Sequence, residues 1–171
     1  MALGMNINQD KQEVWHKTLL VVDRIADGLK EHIDEGIKET VTALIVNGFV
    51  TNSSCGGHLD RALPYPWVDL STPEPNGWEE NKDIKQQWET SNRSQYQKLL
   101  VLLDEFYADR LVDYNVMLML DCANFAGFRL QSVGGYVLEN VSDEVRQAKF
   151  RLYENEMKDF TEFLKNKYFG E

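Results

Sequence analysis

The chain reads as an α+β domain in which about four helices pack on a mostly antiparallel sheet of four or five strands. Three observations carry this reading. Long stretches near both ends keep their apolar residues three or four positions apart, short β-rich stretches come in adjacent pairs, and glycine or proline marks the joins. The resulting order is helix, helix, strand, strand, helix, strand, strand, helix. Helices segregated in this way over paired strands suit an α+β build better than a doubly wound parallel sheet.

From Gln9 to Asn47, residues Val14, Val21, Val22, Ile25, Leu29, Ile33, Ile37, Val41, Leu44 and Ile45 recur at helical spacing. This predicts one long helix, or two broken near Gly36 with Asp34 capping the second, and a stop at Asn47-Gly48. A strand is expected from Phe49 to Ser54. The four prolines, Pro64, Pro66, Pro73 and Pro75, then bracket an alternating strand, Trp67 to Ser71. Lys82 to Asp109 is helical, with an interruption expected around Thr90 to Ser94. Asn115 to Asp121 and Phe128 to Leu138 make two further strands, or three if Gly134-Gly135 forms a hairpin turn. Ser142 caps the last helix, with Val145, Ala148, Leu152, Phe160, Phe163 and Leu164 expected to face inward.

The chain's 171 residues, 43% hydrophobic and 27% charged, suit a single domain spanning residues 1–171, with 1–8 a loose N-terminal segment. Its 28 acidic residues outnumber 18 Lys and Arg, giving a formal charge of -10, which argues against general binding to a nucleic-acid backbone. No run reaches the roughly 20 apolar residues of a membrane span, and the first residues lead to the expectation of no secretory leader. Two cysteines without metal-type pairing make a reducing, cytoplasmic setting the expectation.

The segment Thr51-Asn52-Ser53-Ser54-Cys55-Gly56-Gly57-His58 gathers hydroxyls, a thiol, flexible backbone and an imidazole where a strand should end. Three chemistries compete for it. Cys55 is a nucleophile with His58 as base and Asp60 or Asp69 orienting the imidazole. Alternatively, Cys55, His58 and Cys122, with Asp69 or Asp121 nearby, hold zinc. In the third, Thr51, Ser53, Ser54 and the amides of Gly56 and Gly57 bind a polar ligand to which His58 donates a hydrogen bond. The bland reading stays open beside them: Cys55 as a small buried apolar side chain and His58 as a loop tie. Arg61 is the nearest cation, Tyr65 and Trp67 are candidates for an aromatic wall, and Arg129 is placed near a strand start where it would reach a phosphate or carboxylate.

The pattern Thr51-x-x-Ser54-Cys55-x-Gly57-His58, followed by Pro66-Trp67-Val68-Asp69, resembles a group of small uncharacterised bacterial and phage proteins. Their loop reads Ser-Cys-Glu-Gly-His, with Gly56 here in place of the glutamate. Residues Asp34 to Leu59 are also similar to the start of the wybutosine-synthesis tRNA methyltransferase family, through Ser53, Ser54, Cys55 and Gly57, with His58 where that family has arginine. Ala126-Gly127-Phe128-Arg129 is similar to a later segment of it. That resemblance implies a related α+β scaffold with a pocket for S-adenosylmethionine or tRNA.

The function expected is binding, and processing if Cys55 is reactive, of a small polar or nucleotide-like ligand at the Ser53–His58 loop. The alternative is a non-enzymatic, acidic phage or mobile-element protein acting through a protein partner. S-adenosylmethionine and zinc are both compatible cofactors, and neither is favoured.

Overall fold

The computed structural model describes residues 2–26, 30–61, 63–123 and 126–170. Among these, four helices accompany one four-stranded sheet: α1 (Ala2–Val22), α2 (Glu35–Val46), α3 (Lys82–Tyr107) and α4 (Asp143–Phe169), with β1 (Thr51–Cys55), β2 (Trp67–Leu70), β3 (Leu118–Cys122) and β4 (Phe128–Ser132). Strand order is β1-β2-β4-β3 and every pairing is antiparallel. No helix among the described residues is long and apolar enough to cross a membrane.

The sheet is amphipathic because its strands alternate in register. Val68 lies opposite Leu130 and Leu70 opposite Phe128, and these four side chains join one core with Val22, Ile37, Val41, Leu44, Leu99, Leu103, Met157, Phe160 and Leu164 from the helices. The intervening residues, Trp67 opposite Gln131 and Asp69 opposite Arg129, lie on the other face. A smaller cluster of Tyr65, Val116 and Tyr153, with Leu63 and Trp67 against it, covers part of the molecule near that face.

Helix α1 takes in residues 2–8, where a loose segment is expected, and the break between the first two helices falls earlier than Gly36. Of the residues that suggested continuity, Leu29 lies outside the described set, while Ile25 and Ile33 sit between the helices. Lys38 of α2 holds that connection, reaching Asp23 Oδ1 at 2.6 Å. Asp34 does occupy the N-cap position of α2, but its side chain makes no capping bond there. The stop at Asn47-Gly48 is as expected, with Gly48 at φ 82°.

Strand β1 begins at Thr51 because Phe49 drops into the core, 3% exposed, instead of entering the ladder. Helix α3 runs unbroken through Thr90 to Ser94. There the polar side chains turn back on the helix itself: Thr90 Oγ1 donates to the Gln86 carbonyl at 2.7 Å, and Asn92 Nδ2 to that of Trp88 at 3.2 Å. Gly134 and Gly135 form no hairpin but lie in a 3₁₀ segment, Val133–Asn140. Close packing explains the glycines: a Cβ on Gly134 would stand 2.4 Å from the Tyr153 hydroxyl oxygen.

Ser142 caps α4, its Oγ accepting from Val145 N at 3.4 Å. The buried stripe of α4 is Tyr153, Met157, Phe160 and Leu164, whereas Val145 and Leu152 are 44% and 45% exposed and Ala148 also faces out. Polar ties join α4 to α2, among them two at buried or half-buried positions. The Thr40 and Thr161 hydroxyls bond at 2.7 Å inside the core, and Asn47 Nδ2 donates to the Leu164 carbonyl at 3.1 Å.

After β1 the chain turns at Gly57, where φ is 85° and an added Cβ would lie 2.6 Å from the Phe150 ring and 2.7 Å from the Tyr65 backbone. Both the backbone angle and the space exclude a side chain. Gly57→Ala is therefore expected to destabilise the protein by roughly 1–3 kcal/mol in urea unfolding. Gly36→Ala, whose Cβ meets nothing within 4 Å, should be neutral or gain up to about 1 kcal/mol. Equal effects from the two would contradict this turn geometry.

Candidate functional site

Two separate pieces of chain meet where β1 ends. Cys55 is the last residue of the strand, and the Gly56-Gly57 turn, closed by His58 N donating to the Leu63 carbonyl at 3.0 Å, brings the imidazole back toward it. From the other side the start of α2 supplies Asp34, whose Oδ2 accepts Gly56 N–H at 2.8 Å and lies 3.2 Å from His58 Nε2. The carboxylate left free of capping duty thus serves the loop. One ligand-type atom from each of Asp34, Cys55 and His58 lies within 4.8 Å of the other two.

Cys55 is 8% exposed, and its Sγ accepts from Gly57 N at 3.3 Å. Burial pushes the thiol above its ordinary range, and the Asp34 charge adds to the effect, while the Gly57 amide and Arg61 oppose it. A resting thiolate is therefore disfavoured. This runs against the nucleophile reading, which needs the thiol to ionise easily.

The three side chains line a cavity of about 570 Å³. Thr51, Ser53, Ser54, Arg61 and Trp67 line it as well, so most of the residues singled out in the sequence share this hollow. Ile25 and Val41 contribute apolar wall, and Glu31 and His32 contribute polar groups that the sequence analysis did not select. Arg61 Nη1 lies 3.8 Å from Glu31 Oε2, an exposed pair that contributes little to stability.

Asp69 and Arg129 do other work. The Arg129 guanidinium grips Asp69 through Nε–Oδ1 at 2.6 Å and Nη2–Oδ2 at 2.9 Å, and it stacks 3.9 Å from the Trp67 ring centroid. Ser53 Oγ donates to the same carboxylate at 2.9 Å. Asp69 is thus committed to Arg129 and Ser53, and it is Asp34 that faces His58. Arg129 is likewise committed, so its service to the cavity is indirect, holding Trp67 and Asp69 in place on the sheet. Tyr65 is 2% exposed and packs with Val116 and Tyr153, leaving Trp67 as the aromatic wall.

The zinc set containing Cys122 cannot form. Cys122 is exposed on β3, and the strand order puts β2 and β4 between it and Cys55, roughly 14 Å sideways at the usual strand spacing, while the register sets it across from Thr51 at the opposite end of β1. Asp121, its neighbour, bonds the Tyr136 hydroxyl. Asp34 is the residue that sequence reasoning missed. Its only sequence signal was a helix start, which gives no hint of a loop that lies 22 residues further along the chain.

No family model, curated protein or solved structure matches the chain.

The raised thiol has a measurable consequence. Peptide mapping of iodoacetamide labelling should show exposed Cys122 modified at about pH 7 while buried Cys55 lags behind it and needs a higher pH than an ordinary thiol to react. Because the folded state holds the Cys55 proton more tightly than the unfolded chain does, this residue's contribution to stability is present below the unfolded thiol pKa and is lost as pH rises through the folded one. Cys55 labelling as fast as Cys122 near neutrality would contradict the assignment.

Proposed function

We propose that the protein binds a small polar or nucleotide-like ligand in the cavity beside β1. The observation that carries this reading is the convergence of the Asp34, Cys55 and His58 side chains on one wall of a hollow whose other walls include Ile25, Val41 and Trp67. A mostly apolar cleft with a few clustered polar groups is the usual make-up of a small-molecule site, and about 570 Å³ falls within the usual size range. Trp67, held flat by Arg129, offers a surface on which a planar ring can stack. Ser54 and His58 supply hydrogen-bonding groups for its polar edge.

The net charge of -10 favours a compact ligand over a polyanionic chain such as tRNA. S-adenosylmethionine, with its cationic sulfonium and adenine ring, is one member of this class and a natural probe. Two cysteines are too few for a disulfide framework, which supports the reducing, cytoplasmic setting we propose.

Thermal-shift and calorimetric titration against nucleosides, nucleotides and S-adenosylmethionine, with native mass spectrometry of the freshly purified protein, tests the proposal. At least one compound should raise Tm, since a ligand at a hundred times its Kd stabilises by about 2.7 kcal/mol. His58→Ala and the cavity-filling Ser54→Trp should each weaken that binding by about tenfold or more, equivalent to about 1.4 kcal/mol. A panel without a binder at millimolar concentration, together with a mass spectrum free of any co-purified small molecule, would overturn it.

A further inference from the structure

We propose that Asp34, Cys55 and His58 bind one divalent transition-metal ion, zinc by the chemistry of the donors, with its fourth coordination position open to the cavity. This deepens the ligand-pocket reading and rests on it for the group that would fill the open position.

The donor set is the first argument. A carboxylate oxygen, a sulfur and an imidazole nitrogen converge within 4.8 Å of one another, and among the described residues no other three such side chains do so. Hard cations such as calcium and magnesium favour oxygen alone, whereas a mixed oxygen, nitrogen and sulfur set matches zinc. Tetrahedral zinc with its ordinary bond lengths separates its ligand atoms by roughly 3.3–3.6 Å. His58 Nε2 and Asp34 Oδ2 already stand 3.2 Å apart. The remaining donor pairs lie within 4.8 Å, and a bound ion requires them to close to that spacing.

Support around the donors is the second argument. Metal ligands are usually oriented by hydrogen bonds from groups that do not touch the ion. Here Gly56 N–H fixes the Asp34 carboxylate at 2.8 Å and Gly57 N–H points at Cys55 Sγ at 3.3 Å, so the turn that delivers the ligands also holds two of them. The Asp34 and His58 side chains are 29% and 23% exposed, sheltered yet reachable. Three protein donors fall one short of the closed tetrahedral shell of a structural zinc site, and a site with three keeps a position for water or for a Lewis-basic atom of the bound molecule.

The test uses the full chain carrying Cys122→Ser, which removes the other thiol, prepared without a polyhistidine tag and stripped with chelator. Zn²⁺ is titrated alone against a chromogenic competitor, and Co²⁺ is followed by absorption. One equivalent should bind with a Kd below about 1 μM, corresponding to about −8.2 kcal/mol, and Co²⁺ should give a thiolate charge-transfer band with the visible bands of a tetrahedral site. Cys55→Ser should abolish the charge-transfer band. His58→Ala and Asp34→Asn should each weaken binding by about tenfold or more. Circular dichroism checks the fold of every variant, and should Cys55→Ser not fold, the other two carry the test. Absence of the thiolate band, or affinity unchanged in His58→Ala and Asp34→Asn, would overturn the metal site. Ligand binding by the stripped chain alongside that absence would leave the pocket reading standing, whereas tight zinc binding without any organic ligand would support the metal site and count against the pocket's proposed occupant.

Discussion

The Asp34 carboxylate accepts the Gly56 amide at 2.8 Å and meets the His58 imidazole at 3.2 Å, and these two contacts tie the start of α2 to the loop that follows β1. A hydrogen bond to a charged acceptor is worth about 1.5–3 kcal/mol, more than a neutral pair, because the carboxylate draws the N–H strongly. Without it the Gly56 amide would lose its acceptor, and the wall shared by the helix start and the strand end would be left with the exposed Arg61–Glu31 pair as a polar link. The cavity, the shelter around Cys55 and the orientation of His58 all depend on that joint. An aspartate at a helix N-terminus is also electrostatically comfortable, since the helix dipole favours negative charge there even when the side chain makes no capping bond.

The remainder of the site is held by the sheet. Asp69 and Arg129 face each other across β2 and β4, and their two-pronged ion pair fixes Ser53 on one side and the Trp67 ring on the other. Such a half-buried pair adds less net stability than its short distances suggest, because both charges lose solvation on burial. Its effect is geometric: it holds in place two groups that line the cavity. On the opposite face of the sheet, the apolar residues of β2 and β4 and the helical stripes form the core that makes this edge rigid.

Local chemistry was legible in the sequence, and pairing across distance was not. The helix stop at Asn47-Gly48, the cap at Ser142, the proline-bracketed strand at Trp67 and the glycine turn after Cys55 each follow from the residue at the position. Asp34 shows the limit. A residue at a helix start reads as a cap, and only the fold reveals that its side chain turns to a loop 22 residues away. The same holds for Asp69, whose partner was set by the β2–β4 register. Helical spacing identified α4 and placed Phe160 and Leu164 correctly in the core, but it extended the buried face too far toward the helix start, because periodicity says nothing about where the core stops. Val145 and Leu152 lie on the same helix as Tyr153 and Met157, yet they face water. Gly134-Gly135 was ambiguous for another reason: glycine serves tight turns and close packing alike, and here it is packing against Tyr65 and Tyr153 that requires it.

Whether Asp34 and His58 act on one another or merely lie close is settled most directly by a double-mutant cycle of Asp34→Ala and His58→Ala, followed by urea unfolding of chelator-treated protein. A coupling energy of about 1 kcal/mol is the outcome these contacts require. Additive losses, agreeing within about 0.3 kcal/mol, would contradict the joint on which the site depends.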